Sequence, residues 1–354
     1  MTGPEARYKK NLRWTDERDT GQPTPSSHAF GATVLTLTTF NRFATINRMT
    51  WDFRHQLALY GPNSQRRLSL AQAARYCRWV THTHYENFSV ASWLLPRRLV
   101  RHFHAIYAYC RWSDDLSDET GPDASRLLAW WRSELHACFT GQVRHPVFVA
   151  LLPTIQRFGL PLQPFADLLS AFEQDQIVRR YDHHAQLREY CRRSANPVGR
   201  LVLHLFEQHD EERGILSDHI CTALQEANFW QDVARDYALG RIYLPRDERE
   251  QFGVSEATIA RSEATPAFRA LMRFVVQRTR ATFATGAPLV QLVREEFRPD
   301  LELFLAGGLA ILDAIEAADF DVLTHRPTLS AWHKGRLLLA ALGRKAGRWM
   351  GLTA

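Results

Sequence analysis

"LVRHFHAIYAYCRWSDDLSDE", Leu99 to Glu119, is the stretch on which the reading of the chain turns. Phe103, Tyr107, Cys110, Asp114 and Asp118 recur at helical spacing. At about 100° per residue they share a stripe roughly 80° wide on one helix. The two aspartates therefore continue an apolar face and point toward the core. Asp115 lies about a quarter turn away and is a weaker candidate. Arg111 is one turn before Asp115 and three residues before Asp114, near enough to neutralise or orient them.

A second stretch repeats the pattern. In "ANFWQDVARDYALGRIYLP", Ala227 to Pro245, Asn228, Asp232 and Asp236 follow at intervals of one turn, with Gln225 just before them. On one continuous helix these four share a stripe of about 80°, bordered by Phe229, Trp230 and Val233. An isolated pair of acids one turn apart usually marks a solvated helix face. Here both sets lie beside aromatic core residues, and buried carboxylates are costly unless paired or metal-bound. Two inward acidic edges on separate helices call for cations between them. Oxygen-only ligands suit Mg²⁺, which is commonly held by a few carboxylates together with substrate phosphates. A metal-bridged diphosphate in an apolar helical cavity is the functional reading.

The rest of the chain supports an all-α single domain. From about Ser69 onward the hydrophobic pattern is helical, and period-two strand signals are nearly absent. Pro96, Pro146, Pro153, Pro161, Pro164, Pro197, Pro245, Pro266, Pro288 and Pro299 are expected to break helical runs. Residues 1–48 are mostly polar and include "DTGQPTPSSHAFG"; they are expected to be a disordered tail or an over-long gene start. Residues 49–354 form the helical domain. The composition, 45% hydrophobic and 23% charged over 354 residues, is that of an ordinary globular protein. Five scattered cysteines are expected to be reduced packing residues. No run of about 18 apolar residues signals a membrane span and no signal-peptide pattern opens the chain, so a cytoplasmic location is expected. The net charge of +6 suits anionic ligands, anionic membranes or nucleic acid. No interleaved basic and aromatic stripe supports nucleic acid, which is not expected as a partner. The C-terminal "KGRLLLAALGRKAGRWMGL" combines basic and apolar residues. It reads either as an interfacial helix giving peripheral membrane contact or as a last helix packed on the domain.

The motifs resemble those of the squalene/phytoene synthase family. "YCRWSDDLSDE" is similar to its first aspartate-rich motif and "QEANFWQDVARDYALGRIYLP" to its second. "YCRRSANPVGRLVL" (Tyr190–Leu203) and "GGLAILDAIEAADFDVLTHRPTLS" (Gly307–Ser330) match further blocks in the family's order. The resemblance implies an isoprenoid-synthase helical bundle around a central active-site cavity. It implies Mg²⁺, two or three ions bound with the diphosphate, on Asp114, Asp118, Asn228, Asp232 and Asp236. It places Arg111, Gln225 and Tyr190 toward the diphosphate and the reacting carbons, with Asp114, Asp118, Asp232 and Tyr190 as catalytic residues.

"HYENFSVASWLLPRRL" (His84–Leu99) and "NFWQDV" resemble the HpnC-type hydroxysqualene synthases of bacterial hopanoid pathways. His84 and Asn87 then become candidates for binding diphosphate or water, a helix-capping role being the structural alternative. Gln231 stands where many condensing relatives carry Arg, so a cation beside Asp232 is expected to be missing. The implied reaction is presqualene diphosphate plus water to hydroxysqualene and diphosphate, without NADPH. A prenyl transferase making presqualene diphosphate, squalene or phytoene is the alternative within the fold. A non-catalytic partner of another synthase is the alternative outside catalysis, and transient contact with pathway enzymes is compatible with either. Arg326 and Lys334 are further residues within reach of a diphosphate, with surface placement the competing reading.

Overall fold

In the computed structural model, the described residues are 51–83, 95–330, 332, 335–340 and 342–343. Asp52 opens the first helix by accepting the His55 N–H on its side chain at 3.1 Å. The helices are α1 (Phe53–Tyr60), α2 (Leu70–Thr83), α3 (Arg97–Asp118), α4 (Ala124–Phe139), α5 (Pro146–Phe158), α6 (Leu162–Asp175), α7 (His184–Ser194) and α8 (Asn196–Leu205). They continue with α9 (Glu211–Gln231), α10 (Val233–Ala238), α11 (Arg246–Gln251), α12 (Glu256–Ala260), α13 (Pro266–Gly286), α14 (Leu289–Leu292) and α15 (Arg298–Ala317). A single β-bridge, Arg180 to Ile242, is the only extended pairing among the described residues. The fold is all-α.

Two long helices organise the core. Helix α3 packs against α2, α4, α5 and α6, and α9 packs against α13, α8, α15 and α7. Most of α3 is buried. On one side Trp112 stacks on Trp131 of α4, with centroids 5.5 Å apart, and donates to the Tyr76 hydroxyl of α2 at 3.0 Å. Asp114 and Asp118 lie about 200° and 240° round the helix from Trp112, so this anchoring fixes the direction of the acidic edge. Helix α9 is pinned from behind by Glu226. Its carboxylate takes hydrogen bonds from Thr279 of α13 at 2.8 Å and meets His184 Nε2 of α7 at 2.7 Å. Close packing of α9 on α13 needs a small residue at Gly286, where a Cβ would come within 2.6 Å of the Ile220 side chain.

The prolines expected to break helical runs sit at helix caps or in first turns, where no N–H is missed, except Pro153. Pro153 lies inside α5. The expected break does not occur there. Phe148, Leu151, Thr154 and Ile155 are buried on both sides of it, and that burial outweighs a proline cost of about 3 kcal/mol.

The described cysteines form no disulfide; Cys77, Cys138 and Cys191 are buried. Among the described residues no helix is long and apolar enough to cross a membrane. Most of the basic residues of the C-terminal segment lie outside the described residues. Trp332 and Leu339, which are described, are exposed.

Candidate active site

The first acidic edge is neutralised by its own helix. Arg111 Nη1 donates to Asp114 at 3.3 Å, and Nη2 forms an ion pair with Asp115 and lies 3.7 Å from Glu119. Asp115 is fully buried and accepts the Trp51 indole N–H at 3.1 Å. Burial pushes its pKa well up despite the adjacent guanidinium. It is thus a structural partner of Arg111 and of Trp51, just before α1, and Asp114 and Asp118 keep the inward places.

The second edge differs from the continuous stripe expected of it. Helix α9 ends at Gln231. Asp232 is its C-cap, with φ −107° and ψ 16°, and α10 starts at Val233. Gln225 and Asn228 therefore stand on α9, Asp232 at the junction and Asp236 on α10. The interruption is slight, because the Asp236 N–H still bonds to the Asp232 carbonyl at 2.8 Å.

Arg241 joins the two edges. After α10 the chain turns at Gly240, whose φ of 76° is left-handed and suits glycine. It then runs back beside residues 179–181, with the Ile242 N–H on the Arg179 carbonyl at 3.0 Å. This return places Arg241 Nη2 3.4 Å from Asp118. Burial raises the pKa of Asp118, and Arg241 opposes the rise. Asp236 is also pushed well above the carboxylate range by burial and by Asp232, again opposed by Arg241. One guanidinium thus acts on a carboxylate from each edge.

The same return brings an aromatic wall. Tyr243 stacks on Phe229 at 3.9 Å and lies 5.7 Å from Tyr181 and 6.1 Å from Tyr190, centroid to centroid. The buried Tyr190 hydroxyl donates to Asp175 at 2.9 Å. Burial pushes Asp175 up to about 7, against the pull of Arg241 and the Tyr190 hydrogen bond.

Arg326 overturns another expectation. The cation expected to be missing beside Asp232 is present: Arg326 comes from the segment after α15, and Arg235 Nη1 lies 3.5 Å from the same carboxylate. Arg326 Nε and Nη2 grip both Asp232 oxygens, Nη2 to Oδ2 at 3.0 Å, and Nη2 also donates to Gln231 Oε1 at 3.0 Å. The reason is tertiary. The chain neighbours of Asp232 say nothing about a residue 94 positions away.

Several predicted residues sit together and others do not. Asp118, Asp236 and Tyr190 gather around Arg241, through Asp175 in the case of Tyr190; Asp114 sits one turn along α3. Asp232 lies between Asn228 and Asp236 but is held by Arg326. Gln225 and Asn228 are 5% and 6% exposed, and among the described residues no hydrogen bond reaches their side chains or the Asp236 carboxylate. His84, Asn87 and Lys334 lie outside the described residues. Asp175, Arg241, Tyr243 and Trp51 were not singled out from sequence. Asp175 carried the usable signal: it follows Phe165, Leu168 and Phe172 on the apolar stripe of α6, as Asp118 follows Tyr107 on α3.

The donor set fits a divalent ion only in part on its own. Among the described residues no three His, Cys, Asp or Glu side chains converge on one point. Carboxylates raised by burial and mutual repulsion, with oxygen donors left without partners, are what a hard cation shared with a ligand would satisfy. A groove of about 510 Å³ beside α7 and α9, lined by His184, Arg188, Arg192, Asp218 and His219 among others, contains none of these acids.

Residues 81–333 match the squalene/phytoene synthase family. The chain is 30% identical over 275 residues to a phytoene synthase of Arthrospira platensis, covering 73% of this chain and 88% of the relative. It is 30% identical to a 15-cis-phytoene synthase of Synechococcus elongatus, covering 75% and 91%. Among solved structures it is similar to squalene synthase HpnC from Alicyclobacillus acidocaldarius, at 45% identity and a TM-score of 0.69, covering 71% of this chain and 95% of that one. A dehydrosqualene synthase at 24% identity shares the fold, with a TM-score of 0.71 over 78% and 98%.

Proposed function

Because the chain belongs to the squalene/phytoene synthase family, we propose that it converts presqualene diphosphate and water to hydroxysqualene and diphosphate. The observation that carries this reading is the meeting of both acidic edges at Arg241, whose guanidinium pairs with Asp118 at 3.4 Å and whose backbone N–H donates to the Asp236 carbonyl at 2.8 Å, beside the aromatic wall of Tyr243, Phe229 and Tyr190. The 45% identity to squalene synthase HpnC supports a substrate of this class.

Asp114 and Asp118 on one side, and Asn228, Asp232 and Asp236 on the other, would hold Mg²⁺, two or three ions with the diphosphate. When bound, these ions would supply positive charge to the departing diphosphate oxygens. The chain's own guanidiniums, Arg111 and Arg241, are fixed in place by the carboxylates they pair with. Their charge therefore costs no reorganisation as the C–O bond breaks and diphosphate leaves with the electron pair. Gln225 supplies an amide to orient that group. The resulting cyclopropylcarbinyl cation rearranges against Phe229, Tyr190 and Tyr243, whose faces stabilise a desolvated cation by about 1–2 kcal/mol each. Water then bonds to the final allylic carbon and loses a proton. Asp175, behind Tyr190, is a group whose pKa near 7 suits it to accept that proton. No hydride is consumed.

The phytoene synthase relatives favour a second reading, head-to-head condensation of two prenyl diphosphates. Incubation of the purified protein with Mg²⁺, ¹⁸O-labelled water and either presqualene or farnesyl diphosphate decides between them. Label in a C30 alcohol made from presqualene diphosphate supports the first. Efficient product formation from C15 or C20 diphosphates alone supports the second.

A further inference from the structure

We propose that Gln231 is a positioning residue: it holds Arg326 on Asp232, so that the second acidic edge carries its own counter-cation, which an incoming metal ion must displace. This rests on the diphosphate-site reading above.

Gln231 is buried in full, and both ends of its amide are used on consecutive residues. Its Nε2 donates to the Pro327 carbonyl at 2.5 Å, and its Oε1 accepts from Arg326 Nη2 at 3.0 Å. The preceding position of a proline is restricted to extended backbone, which limits Arg326 further. The guanidinium then forks onto both Asp232 oxygens, the geometry in which charge-assisted hydrogen bonds are strongest.

The segment bearing Arg326 is itself clamped. Asp319 and Phe320 have φ of 49° and 60°, a strained region for residues with a side chain. Arg269 holds the Asp319 carboxylate at 2.8 Å, and Phe320, Val322, Leu323 and Leu329 are buried. Asp321 accepts from the Thr324 N–H at 3.0 Å. Strain maintained by this many contacts fixes where residue 326 lies.

Residue 231 also has to be an amide for this arrangement. An arginine there offers donors only. It has no acceptor for Arg326 and repels it. Glutamine at 231 and arginine at 326 therefore work as a pair, and the neutral residue beside Asp232 admits a cation from afar.

The test is Mn²⁺ binding to the full chain, read by electron paramagnetic resonance, with and without inorganic diphosphate. Gln231→Met keeps every charge and nearly the same volume, so it isolates positioning. Loosening Arg326 removes a competitor for Asp232, and affinity for Mn²⁺ alone should rise roughly 2- to 5-fold. Arg326→Gln should raise it more, roughly 5- to 10-fold, with Arg326→Lys in between. Amide exchange across residues 321–330 should quicken in Gln231→Met. Unchanged or weaker Mn²⁺ binding in Gln231→Met and Arg326→Gln, with wild type binding normally, overturns the positioning role and leaves the site reading standing. If wild type binds Mn²⁺ in neither condition, the site reading falls and this inference with it.

Discussion

The two acidic edges neutralise their charge by opposite means. On α3 the main cation is local: Arg111, three and four residues before Asp114 and Asp115, lies on the same helix. At the end of α9 the strong cation is Arg326, more than ninety residues downstream. The first edge draws its main cation from its own helix, with Arg241 on Asp118 and Trp51 on Asp115 added from elsewhere in the chain. The second is a helix junction whose charge balance depends on a separate segment and whose Asn228 amide and Asp236 carboxylate receive no hydrogen bond from any described residue. One edge takes its main cation from its own helix; the other takes its main cation from a segment that meets it only in the tertiary fold.

The largest effect that could break this comparison is on turnover. Asp118→Asn and Asp232→Asn should each lower it by roughly 10²–10³-fold, with the protein still folded by thermal melting. Near-normal turnover in both would remove the cation-binding role from the two edges alike.

Asp175 gives a pH test next in size. Its carboxyl is pushed up to about 7 from the usual 3.8, so the fold favours the neutral form. Stability from this group is fully present below about pH 4 and is lost as pH rises through 7. Between pH 5 and 8 the wild type should lose on the order of 2 kcal/mol relative to Asp175→Asn. Parallel stability profiles for the two proteins would place Asp175 outside the buried network.

The first edge also leans on Trp51, just before α1. A chain beginning at Met49 should melt and turn over like the full one, because residues 1–48 are too polar to offset their ordering entropy. A chain beginning at Phe53 loses the Trp51–Asp115 hydrogen bond and should melt lower, by about 1–2 kcal/mol. Equal melting of all three would deny Asp115 its structural role.

The smallest effect is the most specific to the contrast. Among the described residues no hydrogen bond reaches the Asp236 carboxylate, and its pKa is raised by burial and by Asp232 against the opposing pull of Arg241. Asp236→Asn should therefore stabilise the metal-free protein at pH 7 by a few tenths to about 1 kcal/mol. Asp232→Asn should destabilise it by about 1 kcal/mol or more, because Arg326 is left with a neutral partner. Shifts of the same sign in calorimetry would mean that Arg326 does not neutralise Asp232.

What could be read from the sequence alone was periodic or local. The stripe from Phe103 to Asp118, the pairing of Arg111 with that stripe and the helical pattern from Ser69 onward depend on spacings within two turns, and a helix maps such spacings directly onto neighbourhood. The motif order was equally legible and identified the family. Tertiary structure decided what depends on chain segments meeting. It carried α5 through Pro153, broke the second stripe at Asp232, returned Arg241 to Asp118, set Tyr190 on Asp175, and brought Arg326 to fork onto both oxygens of Asp232, where the local Arg235 reaches only one at 3.5 Å. The physical reason is common to these cases. A buried charge or a strained backbone persists only when groups distant in sequence compensate it, and the residues flanking it carry no record of which distant group that is.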